Sequence, residues 1–381
     1  MNPIVIIGTG LAGYTLAREF RKLDADTPLV LISADDGAFY SKPMLSNAFA
    51  QGKDAAALVN TPAEKMAEQL DARILTQTRV TGIDTRARQV VTGQETIGYA
   101  RLVLALGADP IRLPLDGDAA DSVLSVNDLA DYARFREALK QGPRVALLGA
   151  GLIGCEFAND LAGQGYTVDV IDLAPLPLGR LLPEACGAAM RDALAAAGIR
   201  LHLGTQVERI ARETNGIALT LANGETIDAD TVLSAVGLRP RTALAETAGL
   251  AVGRGIQVDR RLQTSAEDVY ALGDCAEVDG VVLPYIMPIM HAARALAKTL
   301  ANEPTPVSYP AMPVVVKTPA LATVVNPPAP GSEGEWRISG QAPDLRADFV
   351  GPDGQLLGVC LMGEATKQKQ AVTRELPSPL G

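Results

Sequence analysis

The chain has 381 residues, of which 48% are hydrophobic, and a formal net charge of −10. This length suits two or three domains with a sizeable core, and the hydrophobic content excludes an intrinsically disordered chain. The acidic balance disfavours nucleic acid as a global partner. No apolar run approaches the roughly 18 residues that span a bilayer, so we expect no membrane insertion.

The residues that usually build redox and metal centres are few and scattered, and no two cysteines form a Cys-x-x-Cys pair: Cys155, Cys186, Cys275, Cys360, His202 and His291. This usage argues against a disulfide framework, a dithiol centre and a zinc site, and we predict no metal site. The apolar start of the chain has no basic region before it, which favours a core strand over a signal peptide. A reducing cytoplasm is the default expectation.

The first predicted element is a buried strand, Ile4 to Ile7, which runs into Gly8-Thr9-Gly10-Leu11-Ala12-Gly13. Gly-x-Gly-x-x-Gly between a strand and a helix is typical of a dinucleotide-binding turn. The first glycine permits the turn, the second lets the backbone approach a pyrophosphate, and the third lets helix and strand pack closely. Asp35 follows at roughly the 20-residue distance from which an acidic side chain accepts hydrogen bonds from a ribose.

The elements that follow are predicted from hydrophobic periodicity and turn residues. They are a helix from Leu11 to Leu23, a strand from Leu29 to Ile32, a loop at 39–46 leading into a short helix, several short strands over 74–106 with turns at 82–84 and at Gly93, and a closing segment from Leu102 to Pro110.

The same pattern then repeats. A strand from Val145 to Leu148 leads into Gly149-Ala150-Gly151-Leu152-Ile153-Gly154, and a second strand ends at Asp172. Gly198 is expected to cap a helix. Val232 to Pro240 matches Leu102 to Pro110 in the first half. Two similar nucleotide-binding units therefore lie in tandem.

The last third of the chain contains a strand that ends in Gly273-Asp274, which places a carboxylate where open α/β sheets bind ligands. A helix is predicted after Pro288, from His291 to Leu300, followed by a proline-rich linker. Residues 310–381 predict a small β-rich domain with a helical end, in which 327–332 form an exposed loop.

The predicted fold class is α/β, with two tandem Rossmann-like three-layer domains that carry inserted β-meanders and a small C-terminal α+β domain. We expect residues 1–111 and 241–309 to form one discontinuous domain, 112–240 a second, and 310–381 a third.

With these motifs the chain resembles the flavoproteins with two dinucleotide-binding domains, which include glutathione reductase and the oxygenase-coupled ferredoxin reductases. The resemblance covers about residues 1–309 and depends on the two glycine turns, on Gly107 and Gly237 at paired strand ends, and on Gly273-Asp274. It implies an oxidoreductase that binds FAD in the first unit and a nicotinamide dinucleotide in the second.

The resemblance implies a set of FAD contacts. The first turn would hold the pyrophosphate, and Asp35 the adenosine ribose, with the register open among residues 34–36. The backbone of Val80 would contact the adenine, and Asp274 would hold the ribityl chain. The full set of implied FAD contacts is Gly8, Thr9, Gly10, Leu11, Ala12, Gly13, Ala34, Asp35, Lys42, Pro43, Val80, Ala105, Gly107, Asp274 and Lys317. The helix after Pro288 would point its N-terminus at the flavin.

The second unit would hold the nicotinamide cofactor through Gly149, Gly151, Leu152, Ile153, Gly154, Glu156, Asp172 and Gly237. A carboxylate at the end of the second strand accepts hydrogen bonds from a free ribose hydroxyl and repels a 2′-phosphate. Asp172 therefore favours NADH over NADPH. Glu156 would face the nicotinamide and the flavin.

One departure from disulfide-reducing relatives is that residues 40–49 contain no cysteine. Hydride transfer between NADH and flavin needs no protein acid, base or nucleophile, so we predict no catalytic side chain, with Glu156 and Lys42 near the reacting rings. Electrons would then leave singly through an exposed flavin edge. The resemblance of this stretch and of the last 70 residues implies rubredoxin as a transient acceptor, in a chain such as alkane hydroxylation or oxygen detoxification.

Two alternatives stay open. One is another electron-transfer role, toward a ferredoxin or a flavorubredoxin, although ferredoxin reductases usually have a lysine where this chain has Asn47. The other is a non-catalytic flavin-binding redox sensor.

Overall fold

The structure, a computed structural model, describes residues 2–380. In the first part of the chain the helices and strands are β1 (Ile4–Ile7), α1 (Leu11–Arg21), β2 (Leu29–Ile32), β3 (Phe39–Tyr40), β4 (Val59–Thr61), α2 (Ala63–Leu70), β5 (Ala72–Leu75), β6 (Val80–Asp84), β7 (Gln89–Thr92), β8 (Thr96–Gly98), β9 (Arg101–Leu104) and β10 (Ala108–Pro110). A 3₁₀ helix, Lys42–Asn47, follows β3.

The turn predicted at 82–84 is wrong, because Gly82 lies inside β6, which pairs antiparallel with β7. The chain reverses at residues 85–88 instead. There the Asp84 carboxylate accepts hydrogen bonds from the backbone N–H groups of Arg86 and Ala87 at 2.9 and 2.8 Å. An aspartate that accepts a hydrogen bond from the backbone N–H two residues later commonly stabilises a turn. Here Asp84 determines the position of the turn, and Gly82 does not.

The second part repeats this arrangement. Its helices and strands are α3 (Leu129–Ala138), β11 (Arg144–Leu148), α4 (Leu152–Ala162), β12 (Thr167–Asp172), α5 (Glu184–Ala196), β13 (Arg200–Leu203), β14 (Val207–Glu213), β15 (Gly216–Leu221), β16 (Thr226–Ala229), β17 (Thr231–Ser234) and β18 (Leu238–Pro240). Four strands form a parallel sheet in the order β13-β12-β11-β17, and β14-β15-β16 form an antiparallel meander. Gly198, with a φ of +85°, follows the end of α5 as expected.

The chain then returns to the first sheet through α6 (Ala243–Thr247), β19 (Ile256–Val258), β20 (Val269–Ala271), β21 (Ala276–Val278) and α7 (Ile286–Leu300). The first sheet is parallel, in the order β20-β9-β1-β2-β5, so a strand from far along the chain completes it. All four residues of β1 are buried, as expected of a strand covered on both faces. Two antiparallel strands, β10 and β18, join the two units.

Helix α7 begins at Ile286, two residues before Pro288, whereas the sequence placed its start after the proline. The proline lies in the first turn, where its missing N–H has no helical partner to lose. The predicted start of this helix after Pro288 is therefore wrong.

The C-terminal part contains β22 (Val314–Val316), β23 (Thr323–Asn326), β24 (Glu335–Gln341), β25 (Asp344–Val350), β26 (Leu356–Met362) and the short helix α8 (Lys369–Thr373). Its sheet has the order β22-β23-β26-β25-β24 and shares one hydrophobic cluster with α4 and α5 of the second unit. The predicted fold class is confirmed. The loop at 327–332 is less exposed than expected, because Pro327 and Pro328 are half-buried and line a large cleft that is described below.

Candidate functional site

One large cleft is lined by the two glycine turns, by the carboxyl ends of both parallel sheets and by the C-terminal sheet. Ligands of open parallel sheets bind outside the carboxyl ends of the strands, so this cleft is the candidate site. All the predicted cofactor residues line it except Gly13 and Gly154. Those two lie behind the turns, where the absence of a side chain lets a helix approach a strand.

The first turn has the shape that its glycine spacing predicts. Gly8 has a φ of +115°, and a Cβ there would lie 2.1 Å from the Ala105 carbonyl oxygen. A Cβ on Gly13 would lie 1.9 Å from the Gly8 carbonyl oxygen, whereas a Cβ on Gly10 would meet nothing within 4 Å. Gly10 therefore faces open space in the cleft, at the uncapped N-terminus of α1, and a pyrophosphate fits there.

The acid at the end of β2 is Asp35. It lines the cleft with Ala34, and its Oδ1 accepts from the Gly37 N–H at 2.9 Å and from the Ser33 hydroxyl. Asp36 does not line the cleft, and it accepts from the Ala38 N–H at 3.0 Å. The geometry thus favours Asp35 among the three residues that the sequence left open.

Lys42 and Asp274 face the same region of the cleft from opposite ends of the first unit. Burial lowers the pKa of Lys42, and the Asp274 charge opposes that shift. Burial likewise raises the pKa of Asp274, opposed by Lys42. Residue 273, just before this carboxylate, has no room for a side chain, because a Cβ there would lie 2.8 Å from the Ala12 Cβ. The Gly-Asp pair thus packs against the start of α1 and holds a carboxylate beside the first turn.

The second turn repeats the first. A Cβ on Gly154 would lie 1.9 Å from the Gly149 carbonyl oxygen, and one on Gly151 would meet nothing within 4 Å. Asp172 Oδ2 accepts from the Ala150 N–H at 2.6 Å, so the carboxylate lies beside the turn. The second turn therefore offers an anion site with an adjacent carboxylate, as the first does.

Glu156 and Lys317 meet inside the cleft although they are far apart in the sequence. The Glu156 side chain is 1% exposed, and its Oε2 lies 2.8 Å from the Lys317 Nζ. The Lys317 Nζ also donates to the Ser46 hydroxyl at 3.1 Å and to the Pro43 carbonyl oxygen. The ammonium therefore offsets the cost of burying the Glu156 carboxylate, and it ties three parts of the chain together.

Three further residues lining the cleft were missed from the sequence. Thr205 Oγ1, Ser234 Oγ and Asn127 Oδ1 are buried atoms that have no hydrogen-bond partner within the described chain. Buried polar groups are normally paired, so these atoms fit a polar ligand in the cleft. Thr205 and Ser234 lie at strand ends of the second sheet, a position that signals binding. Asn127 lies in a connection with no such signal.

The two cysteines nearest the turns, Cys155 and Cys275, are fully buried. Burial raises the pKa of the Cys155 thiol to about 12 and that of the Cys275 thiol to about 11. Neither forms the thiolate that thiol redox chemistry requires near neutral pH. Across the described residues no helix has the length and apolarity needed to cross a membrane.

Two dinucleotide turns that line one cleft are typical of the class of two-nucleotide flavoprotein oxidoreductases. The family model described as pyridine nucleotide-disulphide oxidoreductase matches residues 2–298, and that of the rubredoxin binding C-terminal domain matches residues 306–376. The chain belongs to the pyridine nucleotide-disulphide oxidoreductase family, which confirms the resemblance and, at the level of the family, the prediction of FAD and NADH.

The chain is 50% identical to the rubredoxin-NAD(+) reductase of Alcanivorax borkumensis, over 99% of both chains. It is 40% identical to the nitric oxide reductase FlRd-NAD(+) reductase of Aeromonas salmonicida, over 99% of this chain and 97% of that one. Among solved structures it is similar to the ferredoxin reductase for the CYP199A2 system of Rhodopseudomonas palustris, with a TM-score of 0.88 and 27% identity, over 97% of this chain and 93% of that one.

Proposed function

We propose that the chain is an NADH-dependent FAD reductase that passes single electrons to rubredoxin. The observation that carries this proposal is that the segment matched by the rubredoxin-binding domain forms a wall of the cleft that both dinucleotide turns share. Val315 and Lys317 on that wall, together with Pro327 and Pro328, support a position of residues 310–381, which we call the acceptor domain, beside the proposed flavin site.

The first unit supplies the FAD contacts. Gly10, Leu11 and Ala12 offer backbone N–H groups to the pyrophosphate, and Asp35 accepts from the adenosine ribose. Asp274 accepts from the ribityl chain, and Lys42 lies beside it. FAD, when bound, supplies the conversion of a two-electron hydride transfer into one-electron steps.

The second unit supplies the nicotinamide contacts. Gly151 and Leu152 face the pyrophosphate at the start of α4, and Asp172 accepts from the adenosine ribose. Thr205 and Ser234 offer unpaired hydroxyls to the same ligand. The protein's contribution to the reaction is to hold the two rings in contact and to keep the cleft wall fixed.

Residues 40–49 contain no cysteine, and Cys155 and Cys275 are buried, so we expect the acceptor to take electrons at the open side of the cleft. The exposed apolar side chains Ile286 and Met287 at the start of α7 and Val315 on β22 lie at this mouth. An apolar patch of this kind suits a small, transient electron-transfer contact. The acidic net charge makes broad charge attraction to an acidic acceptor unfavourable.

We extend the proposal to the domain division and the compartment. Residues 1–111 and 241–309 form the FAD domain, 112–240 the NAD domain and 310–381 the acceptor domain; the pairing of β20 with β9 supports the discontinuous first domain. A cytoplasmic enzyme that supplies a chain such as alkane hydroxylation or oxygen detoxification is consistent with four free cysteines.

The test is stopped-flow spectroscopy of the FAD-loaded protein with NADH and three acceptors: rubredoxin, ferredoxin and flavorubredoxin. We expect NADH to reduce the flavin, rubredoxin to be reduced fastest, and NADPH to be the poorer donor. Fastest reduction of flavorubredoxin would favour the second candidate, which the relative from Aeromonas salmonicida supports. A flavin that NADH reduces but that reduces none of the acceptors would indicate a sensor instead.

A further inference from the structure

Helix α4 carries three buried polar side chains on one face. Glu156, Asn159 and Asp160 are 1%, 8% and 5% exposed. Residues separated by three or four positions lie on the same side of a helix. We call these three residues the α4 polar row. A buried helix face is normally apolar, so this row needs partners that offset its cost of burial.

One set of partners belongs to the segment 46–50, which follows the cleft-lining residues of the first unit. The Ser46 hydroxyl donates to Glu156 Oε2 at 2.6 Å. The backbone N–H groups of Phe49 and Ala50 donate to the two oxygens of Asp160, each at 3.0 Å. The row therefore holds the end of the 3₁₀ helix that carries Lys42 and Pro43.

The other partners belong to the acceptor domain. The Lys317 backbone N–H donates to Glu156 Oε1 at 3.2 Å, and its ammonium lies 2.8 Å from Oε2. The Ala320 N–H donates to Asn159 Oδ1 at 3.0 Å. The same helix face thus holds a second segment, 317–320, which lies between β22 and β23 of the C-terminal sheet.

The position of α4 gives these contacts their meaning. The residue that precedes the helix is Gly151, the open glycine of the second turn, so the N-terminus of α4 faces the proposed nicotinamide ligand. Its buried face is hydrogen-bonded to the segments 46–50 and 317–320. Apolar packing tolerates small sliding movements, whereas hydrogen bonds are directional and fix the relative position of the groups they join.

We propose that Asn159 and Asp160 are positioning residues for hydride transfer, acting through the segments 46–50 and 317–320. They fix the positions of the second glycine turn, the segment 46–50 and the segment 317–320 relative to one another. These positions set how closely the nicotinamide and flavin rings approach. This inference depends on the proposed function for the identity of the two ligands. It adds residues that touch neither ligand and that no glycine motif identifies.

The test uses the FAD-loaded full chain with Asn159→Ala and Asp160→Ala. Small displacements of reacting groups cost rate much more than binding, so we expect the rate of flavin reduction at saturating NADH to fall about tenfold or more. The KM for NADH should change less than about twofold, because the turn and Asp172 are intact. The long-wavelength absorbance of stacked nicotinamide and flavin should weaken in parallel.

Asn159→Asp and Asp160→Asn are the conservative variants. Asn159→Asp keeps the acceptor for the Ala320 N–H but buries a further charge, and Asp160→Asn keeps an acceptor for only one of the two backbone N–H groups, so each should recover part of the lost rate. Thr231→Val is the matched control, because the Thr231 hydroxyl makes a buried hydrogen bond to the Ala138 carbonyl oxygen at 3.1 Å, away from both segments. Its rate of flavin reduction should equal that of the wild type even if its melting temperature falls.

An unchanged rate in Asn159→Ala overturns the proposal, and this variant decides alone if Asp160→Ala does not fold. An equal loss of rate in Thr231→Val also overturns it, since the effect would then follow general stability. A wild-type flavin that NADH does not reduce contradicts the proposed function first, and this inference with it. Failure to reduce rubredoxin, with normal flavin reduction, contradicts only the acceptor assignment.

Discussion

The Asp172 carboxylate accepts a hydrogen bond from the Ala150 backbone N–H at 2.6 Å and so ties the end of β12 to the second glycine turn. Its other oxygen accepts from the Ala174 N–H at 2.7 Å. Each carboxylate oxygen has a further lone pair, so the side chain holds the turn and still faces the cleft with acceptor capacity.

This arrangement predicts the cofactor preference. Asp172→Ala should raise the KM for NADH about tenfold or more, since a hydrogen bond to a charged group contributes about 1.5–3 kcal/mol. Discrimination against NADPH should fall at the same time, because the repulsive charge is gone. Steady-state kinetics with both nucleotides measures this.

Asp172→Asn is the control for the structural part of that role. It can keep an acceptor for the Ala150 N–H while it loses the charge and the acceptor for the Ala174 N–H, so it should relax the discrimination with less loss of NADH affinity than Asp172→Ala. An unchanged preference in both variants would show that another residue selects the nucleotide.

The first turn offers a matched pair of glycine substitutions. Gly13→Ala places a Cβ 1.9 Å from the Gly8 carbonyl oxygen, so it should prevent the close packing of α1 on the turn and reduce the yield of folded protein. Gly10→Ala meets no protein atom within 4 Å and should fold normally. Its methyl group points into the space assigned to the pyrophosphate, so FAD content should fall.

Flavin absorbance per mole of protein and the melting temperature of the FAD-free protein separate these effects. Gly151→Ala should behave like Gly10→Ala, with a higher KM for NADH in place of a lower FAD content. Full FAD binding by Gly10→Ala would place the pyrophosphate elsewhere.

We expect Asp274 to make FAD binding dependent on pH. Its pKa is raised by burial, so it takes up a proton at a higher pH than an ordinary aspartate. A protonated carboxyl has lost acceptor capacity toward the ribityl hydroxyls, so FAD should dissociate more readily as the pH falls through this raised pKa. Equilibrium dialysis of FAD from neutral to acidic pH measures the effect, and Asp274→Asn should bind FAD more weakly with a flatter pH dependence.

The FAD-free protein should show the opposite sign in its stability. A folded-state pKa above the unfolded value means that the neutral form favours folding. This contribution is fully present below the unfolded pKa and is lost as the pH rises through the folded pKa. If Asp274→Asn leaves the pH dependence of the free energy of unfolding unchanged in this range, the raised pKa of Asp274 is contradicted.

Asp230 and Arg144 form a pair in the second unit that tests stability alone. Asp230 is 11% exposed and accepts from the Arg144 backbone N–H at 2.9 Å and from its guanidinium at 2.6 Å. These bonds lower the pKa of Asp230. Asp230→Asn should therefore reduce the free energy of unfolding by about 1–3 kcal/mol at neutral pH.

The sign of its pH dependence follows from the lowered pKa. The contribution is present above the unfolded pKa, about 3.9, and is lost as the pH falls through the folded pKa, so the two proteins should converge in acid. Asp228→Asn is the control, because Asp228 is 68% exposed and 3.9 Å from Arg144, and its cost should stay below about 1 kcal/mol. Urea titrations at several pH values provide the data.

The sequence alone was sufficient for the two nucleotide turns, for the strand ends that carry Asp35, Asp172 and Asp274, and for the fold class. These features are local: glycine spacing, a run of apolar residues and an acid at a set distance report directly on backbone geometry. The errors were local too. The proline at 288 predicts a helix boundary, and the glycine at 82 predicts a turn. Both predictions are wrong, because the first turn of a helix tolerates a proline and a strand tolerates a glycine.

Only the tertiary structure brought Glu156 together with Ser46 and Lys317, and Asp160 with the backbone of 49–50. These partners are more than 100 residues apart in the chain, so no sequence spacing indicates that they meet. A polar side chain on a helix is also normally exposed to solvent, so the sequence gives no sign that these are buried. Their burial, and with it the need for specific partners, arises when three separate segments pack against one helix face. Spacing along the chain therefore predicted where nucleotides would bind, and packing decided which side chains join the three segments.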